Sequence, residues 1–181
     1  MSFNTAFVKT VGLEGGFDDD SEDSGNWTGG KIGVGELKGT KYGISAAAYP
    51  SEDIKNLTLD RAKELYKRDY WDPLKLNEIY SSNIQEEIFD TGVNMGIGSS
   101  ALILQKSINY LEIGNPVDED SSIGSQTLTY ANKWCSKDPY VFFKVLNGFQ
   151  FMRYVEITKA NTVKEKFAYG WMKRIQDYKE V

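Results

Sequence analysis

The chain has 181 residues, 40% hydrophobic and 13% aromatic, enough for one sizeable core. Its net charge of -5 argues against non-specific nucleic-acid binding. It contains no histidine, which removes Ser-His-Asp and Cys-His catalysis and the commonest zinc ligand at once.

Phe3, Phe7 and Val11 recur at helical spacing and predict an N-terminal helix that closes near Glu14, followed directly by Gly15-Gly16-Phe17. An acidic, glycine-rich loop then runs from Asp18 to Gly39 and ends in Thr40-Lys41-Tyr42-Gly43-Ile44-Ser45. Only Lys31 to Lys38 offers β character, read as a short ribbon or flap. Thr58 is placed to cap a helix through Tyr70, with Leu59, Ala62, Leu65 and Tyr66 inward. Ser82 and Gln85 have capping-box spacing ahead of Ile84, Ile88 and Phe89. Gly96-Ile97-Gly98 breaks that helix, and Ser99 or Ser100 opens the next, with Leu102, Leu104, Gln105 and Ile108 inward. Residues 115–122 read as a boundary between two lobes or as a surface loop.

The lone Cys135, beside Trp134 and Ser136, has no histidine to activate it and reads as a packing residue at a helix end. Asp138-Pro139 predicts a capped helix to about Lys159, burying Phe142, Val145, Leu146, Phe149 and Met152. A last helix from about Val163 to Tyr178 is expected to bury Phe167, Trp171 and Ile175 and to leave Lys164, Lys166, Lys173 and Arg174 in water. No stretch approaches the roughly 20 apolar residues of a membrane span. The first five residues lack the basic and apolar regions of a signal peptide, so cytoplasmic synthesis without one is expected. The expected fold class is mainly α, with a small Gly-rich loop or β-ribbon near the active site.

Glycosidic cleavage needs a proton donor for the leaving oxygen and a second group, carboxylate or water, to meet the developing oxocarbenium ion. Glu14, at the end of an apolar stretch, suits the first task, because burial disfavours the charged carboxylate and keeps its proton on. Asp23 is a candidate second carboxylate or water anchor, with Asp18, Asp19, Asp20 and Glu22 as competitors. Thr40 and Tyr42 offer hydroxyls to hold a water, and Gly43 allows close approach to the backbone. Tyr70, Trp71 and Asn94 are candidate substrate contacts, and Trp171 a further aromatic one, although rings at helical spacing more often serve a core. The acidic loop only partly follows an EF-hand: counted from Asp20, position twelve is Lys31 rather than Glu. No metal and no cofactor are therefore expected.

Glu14-Gly15-Gly16-Phe17, Asp23-Ser24-Gly25 and Thr40-Lys41-Tyr42-Gly43-Ile44-Ser45 resemble the signature of glycoside hydrolase family 108, the N-acetylmuramidases of phage endolysins and bacterial secretion activators. Tyr70-Trp71, Asp90 to Gly96, Leu104-Gln105, Asp120 to Thr127 and Gly170-Trp171-Met172-Lys173-Arg174 continue the match in order. The resemblance implies a lysozyme-like helical fold and hydrolysis of the β-1,4 bond between N-acetylmuramic acid and N-acetylglucosamine, with Glu14 as general acid. It also implies a catalytic part over 1–96 and a peptidoglycan-binding helical part over 97–181 on the same core. Residues 121–181 hold 10 basic against 5 acidic side chains, which suits an anionic wall. A monomer with peptidoglycan as partner, no nucleic acid and no membrane insertion is expected. The endolysin resemblance implies that it reaches the periplasm or cell wall through a separate membrane pore. A lytic transglycosylase and a non-catalytic wall-binding module are the alternatives. The chain departs from the pattern in two places: Asn26 to Gly39 intervene before the threonine, and Ser121 stands where a glycine is common.

Overall fold

The computed structural model describes residues 3–13, 16–160, 165–173 and 175. The fold is mainly α and lysozyme-like, with seven α-helices and one two-stranded sheet among the described residues. The chain divides into two compact units, Ser2–Asp69 and Tyr70–Val181.

In the first unit, α1 (Phe3–Thr10) buries Ala6 and Phe7, and α2 (Leu59–Tyr66) buries Ala62, Leu65 and Tyr66. The Phe7 ring meets Tyr66 edge-on at 5.4 Å. Thr58 caps α2 as expected, its hydroxyl oxygen accepting from the Arg61 amide at 3.1 Å. The helix continues past Tyr66 as a wider π turn, Lys67–Trp71. Strands β1 (Thr40–Lys41) and β2 (Ile44–Ser45) pair antiparallel, Thr40 facing Ser45. The paired strands thus lie just after the segment chosen from the sequence. Residues 31–38 nonetheless form the expected short ribbon in irregular form: Leu37 makes an antiparallel bridge with Trp27, the Thr28 amide donates to Glu36 O at 2.9 Å, and Gly29 N to Val34 O and Val34 N to Lys31 O, at 3.0 Å each, close its turn.

In the second unit α3 (Ser82–Met95) packs on α4 (Ile97–Leu111), and α5 (Ser125–Lys137), α6 (Pro139–Ala160) and α7 (Glu165–Met172) complete the set. The predicted capping box does not form: Ser81 is the N-cap, and Gln85 Nε2 donates to Ile79 O at 2.6 Å. Ser100 does not cap α4, which starts earlier, at Ile97. Its buried hydroxyl donates to Ile88 O at 2.6 Å and ties α4 to α3. Asp138 does cap α6, accepting from the Val141 amide at 3.0 Å. Met152 lies outward, 55% exposed, because the buried stripe runs through Phe142, Phe143, Leu146, Gln150 and Tyr154. Phe167 is likewise half exposed, while parts of the last predicted helix, including Lys164 and Arg174, lie outside the described residues.

Helix α5 had no sequence expectation beyond Cys135, which is buried as predicted, its thiol pushed up to about 11 by that burial. Residues 115–122 form a surface loop within the second unit. Asn109 brackets Val117 through both its amide and its carbonyl, and Gln105 Oε1 accepts from the Ser121 amide at 3.0 Å. Ser121 takes a φ of 64°, the left-handed region that favours glycine, which explains the residue common at that place in the family pattern.

Helix α3 also buries three carboxyl groups, Glu86, Glu87 and Asp90. Burial pushes the Glu87 carboxyl up to about 8, with the Asp90 charge adding to the rise and Thr91 opposing it. Folded Glu87 therefore keeps its proton where the unfolded carboxyl, at 4.5, has lost it. Its contribution to stability is full below 4.5 and declines as the pH rises towards 8. Glu87→Gln removes that penalty. It should leave thermal stability little changed at pH 4.5 and raise it at pH 8 by about 1–3 kcal/mol in circular-dichroism melts; an equal effect at both pH values would contradict this cause.

Candidate active site

Helix α1 ends at Thr10, and hydrogen bonds from the Val11 amide to Phe7 O and from the Gly12 amide to Val8 O carry the chain one turn further. Glu14 lies beyond that end and, with Gly15, outside the described residues. Phe17, three positions on, packs its ring against Gly39: a Cβ there would sit 2.7 Å from the ring and 2.5 Å from Asp18 O. Asp18 and Thr40 then exchange backbone hydrogen bonds at 2.9 and 2.7 Å, so the segment after Glu14 extends the β1–β2 pair.

Three of the loop's aspartates, Asp18, Asp20 and Asp23, are turn builders. Asp18 Oδ1 accepts from the Asp20 amide at 3.1 Å, Asp20 Oδ1 from Glu22 at 3.0 Å, and Asp23 Oδ1 from Gly25 at 2.8 Å. This is what short carboxylate side chains do in aqueous turns. Asp23 is exposed, and its Oδ2 has no partner among the described residues. No group of three or more His, Cys, Asp or Glu side chains among the described residues is arranged to hold a metal.

The residue that organises the loop is Asn26, which has no exposed surface and which sequence reasoning missed. Its Nδ2 donates to Asp20 O at 3.0 Å, and its Oδ1 accepts from Thr40 Oγ1 at 2.7 Å. Its carbonyl accepts from both Lys38 and Gly39 amides. The Thr40 hydroxyl proton is thereby committed, and toward a water Thr40 can only accept. Tyr42 and Gly43 turn the hairpin with φ of 51° and 71°. Tyr66 Oη donates to Tyr42 O at 3.2 Å, and a Cβ on Gly43 would lie 2.5 Å from that oxygen. Gly43 is thus required by a protein contact. Asp23, Thr40 and Tyr42 stand on one hydrogen-bonded loop scaffold.

A hollow of about 370 Å³ opens in this same unit between Phe17, Asp19, Leu37, Lys38, Glu52 and Asp53. Arg61 holds Glu52 at 2.7 Å and keeps its carboxyl below the usual range, and hydrogen bonds from Asn56 do the same for Asp53. These ionised carboxylates were not singled out from the sequence, where they stand among ordinary helix-flanking acids.

In the second unit Trp71 is corrected from sugar platform to core. It is 1% exposed, meets Phe89 edge-on at 5.6 Å and donates through Nε1 to Asn77 Oδ1 at 2.9 Å. Tyr70 is half-buried beside it. Asn94 is exposed; its Nδ2 donates to Asp90 O at 2.7 Å, leaving Oδ1 without a partner among the described residues. Trp171 is half-buried and stacks on Tyr154 at 5.2 Å.

Comparison with known proteins defines the class. The Glycosyl hydrolase 108 family matches residues 7–96, and the Predicted Peptidoglycan domain matches residues 99–176, which together mark a peptidoglycan-degrading glycosidase. The chain belongs to glycosyl hydrolase family 108 and carries the peptidoglycan domain after it. The solved structure of SagA from Brucella abortus is similar in fold over 96% of this chain and 88% of that one, with a TM-score of 0.68 and 23% identity. No curated protein matches the sequence.

The Asn26–Thr40 bond predicts the effect of small changes at Thr40. Thr40→Val strands a buried acceptor and should cost about 1–3 kcal/mol in denaturant unfolding, whereas Thr40→Ser should cost much less. Equal losses from both would mean that the hydroxyl carries no such load.

Proposed function

We propose that the chain is an endolysin-type muramidase that hydrolyses the β-1,4 bond between N-acetylmuramic acid and N-acetylglucosamine. Glu14 donates the proton to the leaving oxygen. Asp23, Thr40 or Tyr42 holds the attacking water or acts as the second group. The observation that carries this reading is the family match over residues 7–96, which spans Glu14-Gly15-Gly16-Phe17 and the loop scaffold that presents Asp23, Thr40 and Tyr42. In this reading Thr40, its proton spent on Asn26, accepts from the water, and Asp23 supplies its unpartnered Oδ2 as base. One copy of the chain suffices, and the protein reaches the wall through a separate membrane pore. Residues 1–96 carry the catalysis and residues 97–181 hold the wall.

Mass spectrometry of the soluble fragments released from purified peptidoglycan tests this. Wild type should release fragments with reducing muramic acid ends, and Glu14→Gln should lower the rate by roughly 10²–10⁴-fold, the usual contribution of a positioned acid. Reducing glucosamine ends would move the cleaved bond, 1,6-anhydro ends would make the enzyme a lytic transglycosylase, and unchanged cleavage by Glu14→Gln would remove Glu14 from the chemistry.

A further inference from the structure

Helices α4 and α6 pack together in the second unit, and between them lies a hollow of about 220 Å³ inside the stretch matched by the peptidoglycan domain. Its floor is apolar, built from Leu102, Ile103, Phe149 and Met152. Its rim carries Lys106 and Arg153. Lys106 is half-buried and makes no ion pair or hydrogen bond among the described residues. Arg153 gives one nitrogen to Glu156 at 3.2 Å, on the same rim, which leaves Nε and the other terminal nitrogen for a ligand. A second hollow of about 250 Å³ shares Ser99 and Arg153 with the first and continues to Asn94, Ile157 and Trp171.

We infer that this groove holds the stem peptide of a peptidoglycan strand, with the sugar that bears the peptide in the second hollow. The inference rests on the wall-cleaving reading above and adds a substrate-holding site within the second unit. A half-sheltered ammonium without a counter-ion is costly beside an apolar floor, and an anionic ligand removes that cost. A neutral glycan offers no such charge. The stem peptide offers carboxylates for Lys106 and for the Arg153 fork, and alanyl methyl groups for the Leu102–Phe149 floor. Asn94 Oδ1 and Trp171 then meet the amide and ring of the sugar, which gives Asn94 the substrate contact expected of it from the sequence.

The test is pelleting of the full chain with insoluble sacculi, either intact or stripped of stem peptides by an amidase, in a Glu14→Gln parent so that the polymer stays whole. Intact sacculi should bind the parent roughly tenfold more tightly than stripped glycan. Lys106→Glu with Arg153→Glu should lose roughly tenfold on intact sacculi and nothing further on stripped glycan, as expected for two reversed rim charges. Should that pair unfold in melts, Lys106→Met with Arg153→Met should still lose roughly threefold by the same rim-charge argument. Equal binding of variant and parent to intact sacculi, or undiminished binding of the parent to stripped glycan, would overturn the inference. Fragment release by wild type is scored separately, so failure of the glycosidase reading shows there and not in the pelleting.

Discussion

A single carboxamide with no exposed surface holds the glycine-rich loop of the first unit together. The Asn26 side chain takes Asp20 O on one side and the Thr40 hydroxyl on the other, and its backbone carbonyl takes the Lys38 and Gly39 amides, so the two ends of a long acidic excursion meet at one residue. A buried amide with its donors and acceptors filled is worth more than its separate bonds, because losing one partner strands the others away from water. The turns of residues 28–36, the Asp18–Thr40 bridge and the β1–β2 hairpin all follow from that closure. The segment that reads as an extra flap is therefore the arm that supplies Lys38 and Gly39 to Asn26, with Trp27 Nε1 fastened to Ser21 O at 2.9 Å.

The second unit handles buried polarity differently. Glu87 lies in the core with its carboxyl pushed up to about 8, a neutral acid held at the expense of stability. Gln150, fully buried on α6, donates to Thr91 on α3 at 2.9 Å, so one polar path runs between those helices. Where the Asn26 carboxamide is bonded by a carbonyl and a hydroxyl that the loop itself delivers, the α3 carboxyls are sheltered by helix packing. The first arrangement sets a local shape. The second sets how stability varies with pH.

Much of the helical frame is legible in the sequence because capping and period are local. Thr58 and Asp138 do what their types and positions dictate, and Phe142 and Leu146 fall inward on a 3.6-residue period. Ser100 misled because a serine near a helix start equally serves as a bridge between helices, and only packing decides which. Trp71 misled because its burial depends on Phe89 and Asn77, which approach through the fold. Asn26 carried no signal at all. Amid Asp and Gly it reads as a solvated turn residue, and its partners, the Asp20 carbonyl, the Thr40 hydroxyl and the Lys38 and Gly39 amides, are brought close only when the loop closes. The motifs of the family stood out by their resemblance to its signature, while the Lys106–Arg153 groove needed two helices to be laid side by side.

If the loop scaffold is what positions Asp23, Thr40 and Tyr42 for cleavage, opening it should disable the enzyme without unfolding its helices. Amide hydrogen exchange and the rate of reducing-end release, measured together on wild type and Asn26→Ala, test this directly. The account predicts lost protection at Lys38, Gly39 and Ala46 and a fall in cleavage of at least about tenfold, as misplaced groups lose their alignment, while α3, α4 and α6 keep their protection. Undiminished cleavage with those loop amides exchanging freely would contradict it.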